Sequence, residues 1–202
     1  MPTLLRFFLL AALAGCAAPG PRGDAALSQA QKGAVLRVAR AVLDAGSCPG
    51  AAAEVVDAPA RLEDPRHGGA LRQPVRVEGC GRRSRLNMLV LPAPGGTVAN
   101  VVQLLPGTTV ADPLAQREGL RLALMAVRDS APGCGRVSVN DTRPEGGAAA
   151  GALPGGGGPL RPWGEVWALS ACGRTYAVPV RFAPGRDGTE ITVDPGAVRP
   201  LA

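Results

Sequence analysis

Apolar and polar positions along the chain fall into two rhythms, one of three to four residues and one of two, and the succession comes round twice. From residue 24 to about 45, Leu27, Ala34, Val35, Val38, Ala39 and Val42 recur at helical steps. That spacing predicts a helix with one apolar face, opened by Asp24 and stopped by Gly46. Residues 53–57 then predict a short strand and residues 59–73 a polar loop. A hairpin follows over residues 75–79 and 86–91, around Cys80-Gly81-Arg82. After the turn at 92–96, residues 98–105 predict an apolar strand closed by Pro106-Gly107.

The pattern restarts at Asp112-Pro113, an N-cap residue followed by proline at the first helical position. Residues 114–128 predict a helix with Leu120, Leu124 and Val127 on one face, ended by Pro132-Gly133. Residues 136–140 read as a strand and residues 146–162 as a glycine-rich loop. Residues 166–182 read as a hairpin around Cys172-Gly173-Arg174, and residues 189–193 as a last strand before Pro195-Gly196. Ala41-Val42 and Asp44 correspond to Ala126-Val127 and Asp129, and Cys48 to Cys134. Cys80-Gly81-Arg82 corresponds to Cys172-Gly173-Arg174, Ala93-Pro94-Gly95 to Ala183-Pro184-Gly185, and Pro106-Gly107 to Pro195-Gly196. These matches predict an α+β chain of two tandem repeats, 24–109 and 110–202, each a helix packed on an antiparallel sheet (αββββ twice). Two copies are too few for a solenoid.

The N-terminus gives the most specific motif. Arg6 precedes the apolar run Phe7-Phe8-Leu9-Leu10-Ala11-Ala12-Leu13, which is too short to span a bilayer. It runs into Leu13-Ala14-Gly15-Cys16, which resembles the lipobox of bacterial lipoproteins. The resemblance covers the first 16 residues only. It implies that residues 1–15 are a signal peptide, that Cys16 receives a diacylglyceryl group, and that the amine freed by cleavage is acylated. Such an anchor is effectively permanent, since each buried methylene contributes about 0.8 kcal/mol. Ala17, where lipoproteins kept in the inner membrane often carry Asp, points to the outer membrane on its periplasmic side. Residues 16–23 would form a short Pro/Gly tether.

The chain has 202 residues and a net charge of +6, its basic residues almost all arginine. Aromatic residues make up only 3%, so the core is expected to consist of Val, Leu and Ala, with little area per side chain. Beyond Cys16 there are four cysteines, which allow three pairings. The repeat selects Cys48 with Cys80 and Cys134 with Cys172, and an exported chain favours disulfides over thiols. Closing loops of this size contributes roughly 3–4 kcal/mol in the chain-entropy model. A zinc site would want close C-x-x-C spacing, which is absent, and His67 is the only histidine. No metal or cofactor is implied.

Few residues stand out for chemistry. Trp167, Tyr176, Val178 and Val180 alternate on the last hairpin and read as its inward face, because the first copy places Val75, Leu86, Met88 and Val90 there. Trp163 reads as a loop residue available for an exposed contact. Arg82, Arg83 and Arg85 form a basic turn, with Arg72 and Arg76 within reach, suited to an anionic envelope ligand such as lipopolysaccharide or a glycan. The glycine run at 155–158 lacks the Gly-Lys-Ser/Thr ending of a phosphate loop. His67 has no G-x-S-x-G partner, and Glu54, Glu78 and Glu165 show no paired spacing. No basic-aromatic motif for nucleic acid is present. The sequence therefore reads as a non-enzymatic envelope protein that binds or scaffolds a partner, with a ligand receptor as the alternative and an unrecognised enzyme behind it.

Overall fold

A computed structural model describes residues 26–46, 48–62, 69–93, 97–147, 161–186 and 188–201. Cys16 and the lipobox-like residues, the 16–23 tether, Asp24, His67 and the glycine run at 155–158 lie outside them.

Each half begins with a capped helix. Helix α1, Gln29–Ala45, opens at Ser28 rather than at Asp24. Ser28 Oγ accepts from the Gln31 N–H at 3.2 Å, and Gln31 Oε1 accepts from the Ser28 N–H at 2.8 Å. This reciprocal box satisfies two amides that the first turn leaves unpaired. Helix α2, Pro113–Ser130, opens at Asp112, whose carboxylate accepts from Leu114 N at 2.8 Å and Ala115 N at 3.0 Å.

Strands β1 (Ala52–Val55), β2 (Ala60–Arg61), β3 (Leu71–Gly79), β4 (Arg82–Pro92) and β5 (Val98–Leu104) follow α1. Strands β6 (Val137–Pro144), β7 (Trp163–Ala171), β8 (Arg174–Gly185), β9 (Gly188–Val193) and β10 (Arg199–Leu201) follow α2. All pairings are antiparallel, giving one sheet ordered β1-β3-β4-β5 and another ordered β6-β7-β8-β9. β2 extends the β1 edge along β3, and β10 extends the β9 edge along β8. The fold is thus α+β, one helix and one five-stranded antiparallel sheet per half.

Both central hairpins turn on two residues. Gly79 pairs with Arg82 and Ala171 with Arg174, so Cys80-Gly81 and Cys172-Gly173 form the turns. Their φ values, 50° and 71° in the first and 48° and 77° in the second, are positive at both positions. That is the type I′ turn, whose twist matches that of the flanking strands. A cysteine in the left-handed region is uncommon, and here each is tied down. Cys48–Cys80 and Cys134–Cys172 are disulfides with Cα separations of 5.9 and 5.7 Å. Each joins the segment just after its helix to the turn of its own sheet.

The core is two clusters, one under each helix. Val35, Ala39, Val75, Val77, Leu86, Met88 and Val90 fill the first, and Ala123, Val127, Trp167, Leu169, Val178, Val180 and Phe182 the second. The alternation on the last hairpin is indeed its inward face, with Trp167, Val178 and Val180 fully buried. A smaller cluster of Leu62, Ala70 and Leu89 lies apart from these two.

Besides the start of α1, two expectations need correction, and one strand is added. The stretch 59–73 is not all loop: Ala60–Arg61 pairs with β3, and β3 itself starts at Leu71. Trp163 opens β7 instead of preceding it, paired with Phe182. The C-terminal strand β10 had no sequence signal, being three residues with a proline at its centre.

Candidate functional site

Residues 105–112, which link β5 to α2, are held by side chains from both halves. From the first sheet, Asn87 Nδ2 donates to Leu105 O at 2.8 Å and Gly107 O at 3.0 Å. Arg72 donates to Thr109 O at 2.9 Å and to Ala111 O at 2.6 Å. From the second, Glu165 Oε1 accepts from Val110 N at 2.9 Å and Ala111 N at 3.3 Å. Thr142 supplies a hydroxyl to Pro106 O and a carbonyl to Thr108 N. Gly107, at φ +95°, lies so close to β6 that an added Cβ would collide with Thr142 backbone. The linker is therefore clasped between a cation on its carbonyls and an anion on its amides.

The physics of the clasp is that of buried charge. Desolvation pulls the Arg72 guanidinium below its ordinary pKa; the charges of Glu165 and Asp112 oppose that, and nearby Arg85 adds to it. Glu165 is fully buried and keeps a full set of donors: besides the two amides, Trp167 Nε1 at 2.8 Å and Trp163 Nε1 at 3.3 Å. Beside the clasp, burial raises the Asp141 carboxyl pKa, against the Thr142 N–H and the Arg143 charge, which lower it.

Two residues before Glu165, at the start of β7, the structure opens. Trp163 stacks on Phe182, with ring centroids 4.7 Å apart and planes 9° from parallel. Around the pair, Pro162, Gly164, Arg181, Ala183, Glu190 and Thr192 line an open groove of about 280 Å³. Arg181 pairs with Glu145 across Gly164, and a side chain at Gly164 would collide with both groups. Arg181, Thr192 and Glu190 alternate with Phe182 along the ladders, so the groove's guanidinium, hydroxyl and carboxylate lie on the outer face of the sheet, behind the inward Trp163 and Phe182 rings, where they can hydrogen-bond a small polar ligand.

The basic turn is arranged differently. Arg83 pairs with Glu78 at 3.0 Å, Arg85 with Asp57 at 3.2 Å, and Arg76 with Glu54 at 3.3 Å. Arg76 stands directly opposite Arg85 in the register, whereas Arg72 is committed to the linker. The side chain of Arg82 is outside the described residues. An anionic ligand at this turn would compete with carboxylates already bound there.

Glu165 is the residue sequence reasoning passed over. Its signal was its spacing: Trp163, Glu165 and Trp167 alternate, so the carboxylate shares the inward face with both indoles. Among the described residues no group of three or more His, Cys, Asp or Glu comes together to hold a metal ion. Among them, too, no helix is long and apolar enough to cross a membrane. Comparisons with protein-family models, with curated proteins and with solved structures find no match.

Proposed function

We propose that this protein is a bacterial lipoprotein, held by acylated Cys16 to the periplasmic face of the outer membrane, whose body binds or scaffolds an envelope partner without catalysing a reaction. The observation that carries this reading is Leu13-Ala14-Gly15-Cys16 behind an arginine and a short apolar run. The remaining four cysteines support it, since all are joined in disulfides, the state an oxidising compartment maintains. The shared order of helix, strands, turn and disulfide supports reading the halves as copies of one unit, clasped at their linker into a body with a fixed presentation.

A second reading, a receptor for a glycan or another small envelope ligand, is favoured by the Trp163 groove. Its volume, about 280 Å³, lies just below the range for drug-sized ligands, which suits a small one. In-cell photocrosslinking from position 190, at the groove's rim, separates the two. A single protein adduct, lost on Trp163→Ala, supports the scaffold. Lipid or glycan adducts support the receptor and move attention to Arg181 and to Arg82, Arg83 and Arg85. Adducts unchanged by Trp163→Ala would remove the groove from either reading.

A further inference from the structure

A sheet edge exposes unpaired amides and carbonyls, and proteins guard such edges with charge, proline, bulges or shortness. The strands along the edges of these two sheets can be compared on that basis. β1 has four residues and carries Glu54, β2 has two and carries Arg61, and β10 has three and carries Arg199 and Pro200. β6 carries Asp141 and Arg143, is bulged between Val139 and Asp141, and has its Thr142 carbonyl taken by the linker. β9 carries Glu190. β5, Val-Ala-Asn-Val-Val-Gln-Leu, has seven residues, no charge and no proline. Its one irregularity lies at its start, where Pro92 pairs with Val98 and Leu91 with Asn100.

From Asn100 to Leu104 β5 is regularly paired with β4 and, among the described residues, has no strand on its other side. The Val101 N–H donates to the Asn100 side chain at 2.8 Å, so Val101 presents its main chain outward, away from β4. The pleat then makes Gln103 face outward too, while Val102 bonds to β4. Val102 is 41% exposed, one of three large hydrophobic side chains that stand out among the described residues.

We propose that β5 is a dimerisation strand, pairing antiparallel with β5 of a second copy of this chain about a two-fold axis at Val102. The geometry is self-consistent. With Val101 and Gln103 outward, each exchanges main-chain hydrogen bonds with the other's counterpart, and Val102 falls opposite Val102 as the closely spaced, non-bonded pair. Two exposed valines cover each other, and an uncharged edge meets its like without the repulsion that a charged edge would bring. A charged strand from a different partner would find no complementary charge here. The pairing is independent of the lipoprotein reading and adds to it.

The test is sedimentation equilibrium of the purified full-length protein in density-matched detergent. The native protein sediments at twice the protomer mass. Val102→Lys and Val102→Glu each sediment at the protomer mass with unchanged melting, and an equimolar mixture of the two regains the doubled mass. Should either variant fail to fold, Gln103→Pro, which removes an outward amide without breaking the ladder to β4, must halve the mass in its place. A native monomer at the highest soluble concentration, a dimer that survives Val102→Lys or Gln103→Pro, or a native protein carrying another protein's strand would each overturn the proposal.

Discussion

On the inward face of the first sheet stand Leu71, Gln73 and Val75, with Val90 across the ladder; at the same distances from the turn cysteine the second sheet has Trp163, Glu165 and Trp167, with Phe182 across. One half fills its core with aliphatic side chains and the other with aromatic ones. The helices compensate. Seven residues after the N-cap, α1 has buried Val35 and α2 has Gly119. An added Cβ at Gly119 would come within 2.8 Å of the Trp167 ring. Volume missing from the helix is thus supplied by the strand, as close packing requires. Two helix-on-sheet halves are thus closed by different divisions of volume between helix and strand.

The strongest way to break that comparison is Trp167→Val. It should cost about 3–5 kcal/mol by chemical denaturation, because the cavity faces a glycine that cannot fill it. Gly119→Val alone should cost about 1–3 kcal/mol through overpacking against the indole. The double variant, which copies the first half, should recover at least about 1 kcal/mol relative to the sum. Strict additivity would mean that the two sites do not share a volume.

Next come the disulfides. Their sequence separations, 32 and 38, are nearly equal, so the chain-entropy model assigns each about 4 kcal/mol and a difference between them of only about 0.2 kcal/mol. Replacing Cys48 and Cys80 by alanine, or Cys134 and Cys172, should lower melting comparably. A bond that could be removed without effect would mark its half as built differently.

Glu165→Gln is smaller, at about 2–3 kcal/mol, since an amide –NH₂ would point at donors that now share a carboxylate. The reverse exchange at the matching position, Gln73→Glu, should also destabilise. Gln73 Nε2 donates to Val56 O at 3.0 Å and Pro74 O at 2.8 Å, and a carboxylate there would face acceptors. Either substitution leaving the melting curve unchanged would show that the polar position is not what fastens that half. Smallest is Arg83→Ala, which should change stability by under about 0.5 kcal/mol, because its pair with Glu78 is exposed. A larger loss would give the basic turn a structural role.

What the sequence disclosed follows from what leaves a period. Each half has its own helix, Cys-Gly turn and disulfide, at positions that matched along the sequence, so these were legible. The start of β3 was not, because Arg72 and Gln73 look like loop residues. They sit in a strand because the terminal nitrogens of Arg72 have the linker to bind and the Gln73 –NH₂ has the Val56–Asp57 crook. Trp163 was hidden by the glycine-rich stretch before it, and only Phe182 across the ladder places it in β7. α1's start was misplaced because Asp24 and Ser28 are both good cap residues, and the box closed by Gln31 decides between them. The groove could not be read at all, since Arg181, Glu190 and Glu145 meet only through the register of three strands and the turn that follows β6.

Acylation of Cys16 is the central claim made for this protein. Mass spectrometry of the N-terminal peptide, from protein purified out of bacterial membranes, addresses it directly. The expected peptide begins at Cys16 and carries a diacylglyceryl thioether and an acylated amine, and Cys16→Ser moves the protein into the soluble fraction. A mature chain with an unmodified Cys16, or one that stays in the membrane as Cys16→Ser, would contradict the lipoprotein reading.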